Sequence, residues 1–283
     1  VGVRLLIMGM RPSGRPLFRV IWAISQEKGV HDSFVARSSK RGFEEWINEF
    51  RSEERNIFRI DPVHCRYIAN EAYENTSHVG ASLPDGIGVY LETVKNMPDL
   101  PEMPIIYELL DEEEVKSDST ALLVSEELLD LAECEWLLDE EKVAKYRERV
   151  LEVVKSVIVT SDIVREERLQ RIVNDFISAE FSKDMIEAYR RRLEETAYLF
   201  VLDNKMDYAR LAFRVALSMK FDNNPGAIPF IRGLVGRNIG IIPADSLEES
   251  EMERRKLEEE RVQLVKPISQ SGSQELFREM LRG

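Results

Sequence analysis

The spacing of apolar and polar positions changes period early in the chain. Over residues 3–24, Val3, Leu5 and Ile7 and then Phe18, Val20, Trp22 and Ile24 recur at every second position, the pattern of strands with one face turned to a core. Between the two runs, Arg11-Pro-Ser-Gly-Arg15 supplies turn residues, so the pattern predicts a β-hairpin. A third short strand over 33–37, after the Lys28-Gly29 turn, extends it into a meander. From Phe43 the period lengthens: Phe43, Trp46, Ile47 and Phe50 fall at i, i+3, i+4 and i+7, which predicts a helix covering one face of the sheet. A sheet of two or three strands needs such cover to be stable.

Asp61-Pro62 reads as the next helix start, an acidic N-cap followed by a proline whose missing amide costs nothing in the first turn. That helix is expected to run to about Asn75. A shorter one carrying Val89, Tyr90 and Val94 follows the loop around 82–86. Pro98, Pro101 and Pro104, then the acidic run Asp111-Glu-Glu-Glu114, mark a boundary. From Thr120 onward helical stripes dominate, over 120–134, 139–159, 162–178, 183–202 and 207–220, with 229–235 as a closing helix. The fold class expected is α+β and predominantly α. A small N-terminal β-meander or hairpin with covering helices (1–97) precedes a proline-rich acidic linker (98–119). An all-helical bundle or stack of hairpins (120–243) and a charged tail (244–283) complete the expected division.

The clearest single element is a helical hairpin over 183–221. Ser182 caps its first helix, Asp203-Asn204 supplies the turn, and Ala209, Ala212, Phe213, Ala216 and Leu217 form a stripe of small residues around one large ring. The spacing of Leu193, Ala197 and Phe200, and of Ala209, Phe213 and Ala216, resembles a tetratricopeptide repeat. Departures are visible: Leu193 stands where the family has Trp, Thr196 where it has Leu, Ala197 where it has Gly, and Phe221 where it has the closing Pro. No second copy occurs along the chain, whereas such repeats need about three neighbours to bury their faces. The family uses the first-helix face for partners, and by position this implies a partner surface of Arg191, Glu194, Tyr198 and Leu202.

Composition narrows the function classes. The chain has 283 residues, with no apolar run near the length of a membrane span and no basic-then-apolar leader. Cys65 and Cys134 read as small buried hydrophobes, which implies neither a disulfide framework nor a zinc site and fits a reducing, cytoplasmic setting. The opening at Val1, with a strand already under way, suggests part of a longer chain. Histidine is limited to His31, His64 and His78. Asp61 is already used as a cap and Cys65 points about 100° from His64 around the helix, so no metal centre is expected. Phosphate loops, the dinucleotide fingerprint and nucleophile elbows are absent from the sequence, so no cofactor or catalytic residue is assigned.

Charge is unevenly divided. Residues 1–43 hold eight Lys or Arg against two acids, a balance of +6 within a chain of −13, which leaves −19 on the remainder. Arg11 and Arg15 on the hairpin tip, with Arg37, Lys40 and Arg41 before and within the next helix, form a candidate phosphate-binding set. The reading that follows is a protein-interaction or scaffold module. Nucleic-acid binding through the basic N-terminal face is the alternative, as is the non-catalytic portion of a larger enzyme.

Overall fold

The residues of the first alternating runs form a three-stranded antiparallel sheet, but in the first strand Leu6, Met8 and Met10 are the buried set, while Leu5 is exposed and Ile7 half-buried on the opposite face. The computed structural model describes residues 4–25, 28–52, 57–95, 97–118, 121–134, 136–156, 161–221 and 224–241. Strands β1 (Arg4–Met10), β2 (Leu17–Ser25) and β3 (Gly29–Ser38) lie in the order β1-β2-β3. Leu6 pairs with Trp22, Met8 with Val20, and Val20 in turn with Val35, so the large apolar side chains share one face. A turn closed by the Arg15 amide on the Pro12 carbonyl (3.1 Å) joins β1 to β2, with Gly14 at φ 71° in the position that type II turns reserve for glycine.

Helices cover both faces of the sheet. On one face, α2 (Pro62–His78) brings Ala69 and Ala72 and α3 (Ile87–Val94) brings Tyr90 against Leu6, Met8, Val20, Trp22 and Ile24. On the other, α1 (Lys40–Ser52) crosses back over the strands: its Phe43 ring sits where a Cβ on Gly9 would lie 3.2 Å away, and Trp46 stacks on the Arg19 guanidinium at 4.4 Å. Asp61 caps α2 as expected, accepting the amides of Val63 (2.7 Å) and His64 (3.3 Å). Thr76 ties α2 to the sheet, its hydroxyl accepting the Val30 amide at 2.7 Å while donating to the Ala72 carbonyl at 2.7 Å.

Beyond the sheet the chain is helical, and the fold is α+β, predominantly α. Residues 98–119 contain two short helices, α4 (Ile106–Leu109) and α5 (Glu112–Ser117), which bury Ile106, Leu110 and Val115. The segment expected as a helix over 120–134 instead forms 3₁₀ turns at Ser125–Asp130 and Ala132–Cys134. Backbone bonds here close i to i+3, as from the Glu127 amide to the Val124 carbonyl (3.0 Å), and the Ser125 hydroxyl fixes the turn by donating to the Leu122 carbonyl (2.7 Å) and accepting the Phe230 amide (3.1 Å). Helices α6 (Glu140–Lys155), α7 (Asp162–Glu180), α8 (Lys183–Leu202), α9 (Met206–Phe221) and α10 (Pro229–Ile239) follow.

The α8–α9 hairpin packs on small side chains. Leu193, Ala197, Ala209, Ala212, Phe213, Ala216 and Leu217 are all fully buried, because alanine lets the helix axes approach and Phe213 fills the space that remains. Asn204 turns the chain at φ 60°, the left-handed conformation that asparagine tolerates. The described residues up to Ile239 form one compact unit, and the charged tail expected over 244–283 lies outside the described residues.

Two glycines of positive φ separate backbone strain from crowding. At Gly29 (φ 74°) a Cβ would fall 2.3 Å from the Ala72 carbonyl and 2.5 Å from the Thr76 amide, whereas at Gly14 nothing lies within 4 Å. Gly14→Ala is expected to cost about 1 kcal/mol from its backbone conformation alone. Gly29→Ala adds overpacking and is expected to cost about 3 kcal/mol or more. Urea unfolding checks this: the midpoint falls far more for Gly29→Ala than for Gly14→Ala.

Candidate functional site

The sequence Arg190-Arg-Arg-Leu-Glu-Glu-Thr196 lies in the middle of α8, and at 3.6 residues per turn it sends charge to two sides of the helix. Leu193, Ala197 and Phe200 face α9. Arg191, Glu194, Glu195 and Tyr198 face α2 and α4, while Arg192 lies over the Trp136 ring at 4.2 Å and Thr196 meets Arg4 of β1. Beyond its exposed first turns the helix has no open polar side: Arg191, Arg192, Glu194, Glu195, Thr196 and Tyr198 are all buried.

Buried charges persist only when paired and hydrogen-bonded, and here they are. Arg191 forms a two-pronged pair with Glu71 of α2, Nε to Oε1 at 2.8 Å and Nη2 to Oε2 at 3.0 Å, and also bonds Glu194 and, at 2.9 Å, Glu195. Glu194 accepts in addition from Arg190 and, at 2.7 Å, from the Tyr107 hydroxyl. His64 Nε2 lies 2.8 Å from Glu195 Oε2, and the His64 ring meets the Tyr198 ring edge-on at 4.6 Å. The Tyr198 hydroxyl accepts the Asp61 amide at 3.2 Å, and Arg4 Nη2 donates to Thr196 Oγ1 at 2.7 Å. Among the described residues, His64 Nδ1 is buried without a hydrogen-bond partner.

Proton affinities follow from these contacts. Burial alone would raise the Glu195 carboxyl, but the His64 hydrogen bond and the His64, Arg191 and Arg4 charges outweigh it and hold the group below its ordinary value. Burial likewise disfavours the Arg191 guanidinium, and the Glu71, Glu195 and Glu194 carboxylates overcome it, leaving Arg191 more firmly charged than usual. Tyr107 is raised by burial and by donating to Glu194. Burial also lifts the thiols, Cys65 to about 11 and Cys134 to about 12, so neither is a nucleophile near neutrality. Each carboxylate is occupied by guanidinium, hydroxyl or imidazole, Glu194 and Glu195 closed off from solvent and Glu71 half-buried, so the cluster fastens α2, α4 and α8 together. No three His, Cys, Asp or Glu side chains come together as a metal-ligand set among the described residues.

The four residues placed on a partner face from the repeat resemblance therefore do share one face, but it is internal. Arg191, Glu194 and Tyr198 are buried against α2 and α4 of the same chain, and Leu202 is half-buried. Two signals in the sequence bear on this. Arg190–Glu194 and Arg191–Glu195 are i,i+4 pairs that can satisfy one another inside a helix. The third partner, Glu71, lies 120 positions away and has no local signature.

The five basic residues singled out on the N-terminal part come to one end of the sheet, all exposed. Arg11 follows β1, Arg15 precedes β2, Arg37 ends β3 opposite Phe18, and Lys40 and Arg41 open α1, whose next turn lays Phe43 on Gly9. Arg15 meets Glu92 at 3.0 Å and Arg41 meets Glu45 at 2.7 Å, but the second pair is 89% and 62% exposed and is screened by water and salt. Arg11, Arg37 and Lys40 make no ion pair among the described residues. Ser39 caps α1 through the Gly42 amide (2.9 Å), and Lys40 and Arg41 occupy the first turn, where the helix dipole favours acids. Their position works against helix stability and concentrates positive field at this corner.

The network makes stability depend on pH in a defined direction. Because the folded-state affinity of Glu195 for protons is below that of the unfolded chain, its contribution is complete above the ordinary carboxylate range and is lost as pH falls through that range and below. Arg191→Met takes the shared cation from Glu71, Glu194 and Glu195, leaving Glu194 to Arg190 and Tyr107 and Glu195 to His64, and is expected to cost about 3 kcal/mol at neutral pH. The penalty shrinks at about pH 4, where Glu195, without Arg191 beside it, takes up a proton more readily; urea titrations of both proteins at the two pH values measure it, and an equal loss at both would contradict the assignment. Among the described residues no helix is long and apolar enough to cross a membrane. Comparison with protein-family models, with curated proteins and with solved structures gives no match for this chain.

Proposed function

We propose that this chain is a protein-interaction module that receives an acidic segment of a partner protein on the basic end of its sheet. The observation that carries the reading is the gathering of Arg11, Arg15, Arg37, Lys40 and Arg41 at one end, three of them without an ion pair among the described residues. Guanidinium forks suit carboxylates, and an exposed basic corner on an otherwise acidic protein steers an acidic ligand to that corner.

Nucleic acid is the second reading, favoured by the same cations, and two observations weigh against it. The residues outside 1–43 carry −19, which repels a long polyanion wherever it leaves the corner. A stacking platform is also wanting: Trp22 is buried against Tyr90 (5.3 Å), and the Phe34 and Trp46 rings are engaged by Arg19.

Fluorescence anisotropy with labelled octaglutamate and with a labelled single-stranded oligonucleotide separates these readings. The peptide is expected to bind at about 50 mM salt and to weaken as salt screens the charges. The R11E/R37E/K40E variant, with helix content unchanged, is expected to lose on the order of tenfold in affinity. Tighter binding of the oligonucleotide than of the peptide would favour the second reading, and binding of neither would overturn both.

A further inference from the structure

Resting on that reading, we propose that β1 is the receiving edge: the partner docks as an extended strand that pairs antiparallel with Leu5–Met10 and sets its acidic N-terminal end against Arg11, Lys40 and Arg41. An antiparallel partner reaches the Arg11 end of β1 with its own N-terminus, and it continues the antiparallel pattern of the whole sheet.

The two edges of this sheet differ. At β3 the first half of the outer edge is already engaged: the Val30 amide donates to Thr76 Oγ1, the Ser33 amide to Asp32 Oδ1 (2.8 Å), and the Ser33 side chain accepts the Asp85 amide on Oγ (2.6 Å). β1 is open. Among the described residues, its outer backbone groups make no hydrogen bond, Leu5 is 42% exposed and Gly9 is exposed. Proteins blunt such edges with charges, prolines or bulges. Between Leu5 and Met10 there is neither charge nor proline, and the β1–β2 register runs without a shift. A row of unpaired amides and carbonyls flanked by apolar side chains is the template on which peptides add a strand.

Charge chooses the occupant. A second copy pairing antiparallel through its own β1 would bring no carboxylate to the Arg11 end, because residues 1–11 contain no Asp or Glu. A strand bearing carboxylates at its N-terminal end meets Arg11 instead, and Phe43 on Gly9 shows that the first turn of α1, with Lys40 and Arg41, lies over that same end of β1. Alternate apolar side chains of the strand would continue the row of Leu5 and Ile7.

The test uses the full chain and a synthetic peptide, acetyl-Asp-Asp-Val-Thr-Val-Thr-Val-amide. Two twins are each N-methylated at every second residue, in opposite phase. The parent peptide is expected to bind and to slow hydrogen exchange of backbone amides within residues 5–10. One twin loses on the order of tenfold, because its methyl groups replace the donors facing β1, while the other binds like the parent. If both twins bind like the parent, or the β1 amides exchange as fast with peptide as without, strand addition is overturned. Protection of the same amides by concentration-dependent dimerisation, with no response to peptide, overturns it in favour of a second copy. Octaglutamate binding that remains sensitive to R11E/R37E/K40E while the β1 amides stay unaffected removes this inference and leaves the basic-corner reading standing; loss of both responses removes the two together.

Discussion

A guanidinium buried among three carboxylates decides how the sheet layer meets the helices. Arg191 cannot leave water unless Glu71, Glu194 and Glu195 are placed around it within hydrogen-bond reach, and Glu71 belongs to a different layer. Aliphatic side chains in these positions would tolerate sliding of α2 along α8, because apolar contact is nearly indifferent to register. The two-pronged Arg191–Glu71 pair is not, since both oxygens must face both nitrogens. The remaining contacts align with it: Tyr198 reaches the start of α2 and His64 reaches Glu195 from the same turn. α2 in turn carries the sheet through Ala69, Ala72 and Thr76, so the position of β1 to β3 is inherited from α8.

The molecule keeps two populations of charge under opposite rules. Inside, Arg190 and Arg191 are matched to carboxylates at hydrogen-bond distance, Arg4 donates to the Thr196 hydroxyl and Arg192 lies over the Trp136 ring. At the basic end of the sheet, cations stand in water with few partners, two of them in a helix turn whose dipole opposes them. Interior charges fix geometry and depend little on salt, whereas those on the corner act at a distance and depend on salt strongly. The acidic remainder of the chain sharpens the contrast, making the corner a local exception on a negative surface.

What the sequence discloses and what it hides divide along the distance between interacting residues. The hairpin over 183–221 is legible because its determinants are local: Ser182 bonds the Met185 amide, Asn204 turns the chain, and the alanine stripe follows the helical period. The basic corner is legible for the same reason, since the Pro12–Arg15 turn and the Ser39 cap sit beside the residues they place. The interior position of Arg191, Glu194 and Tyr198 is not, because a run of charges reads as a solvated face and the residues that cover it come from α2. The 3₁₀ turns at 125–134 escape detection similarly: their apolar residues keep a helical spacing, while the Ser125 hydroxyl is engaged by an amide 105 positions away.

The same distances impose an order on synthesis. Arg4, His64 and Glu71 find their hydrogen-bond partners in α8, up to 192 positions later in the chain. At about 5–20 residues per second, Glu71 is added to the chain roughly 6–24 s before Arg191. Throughout that interval Glu71 and His64 must stay hydrated, on a helix whose other side already has the sheet to pack against. The N-terminal layer is therefore born with one wet, charged face, and the arrival of α8 both dries that face and joins the layers.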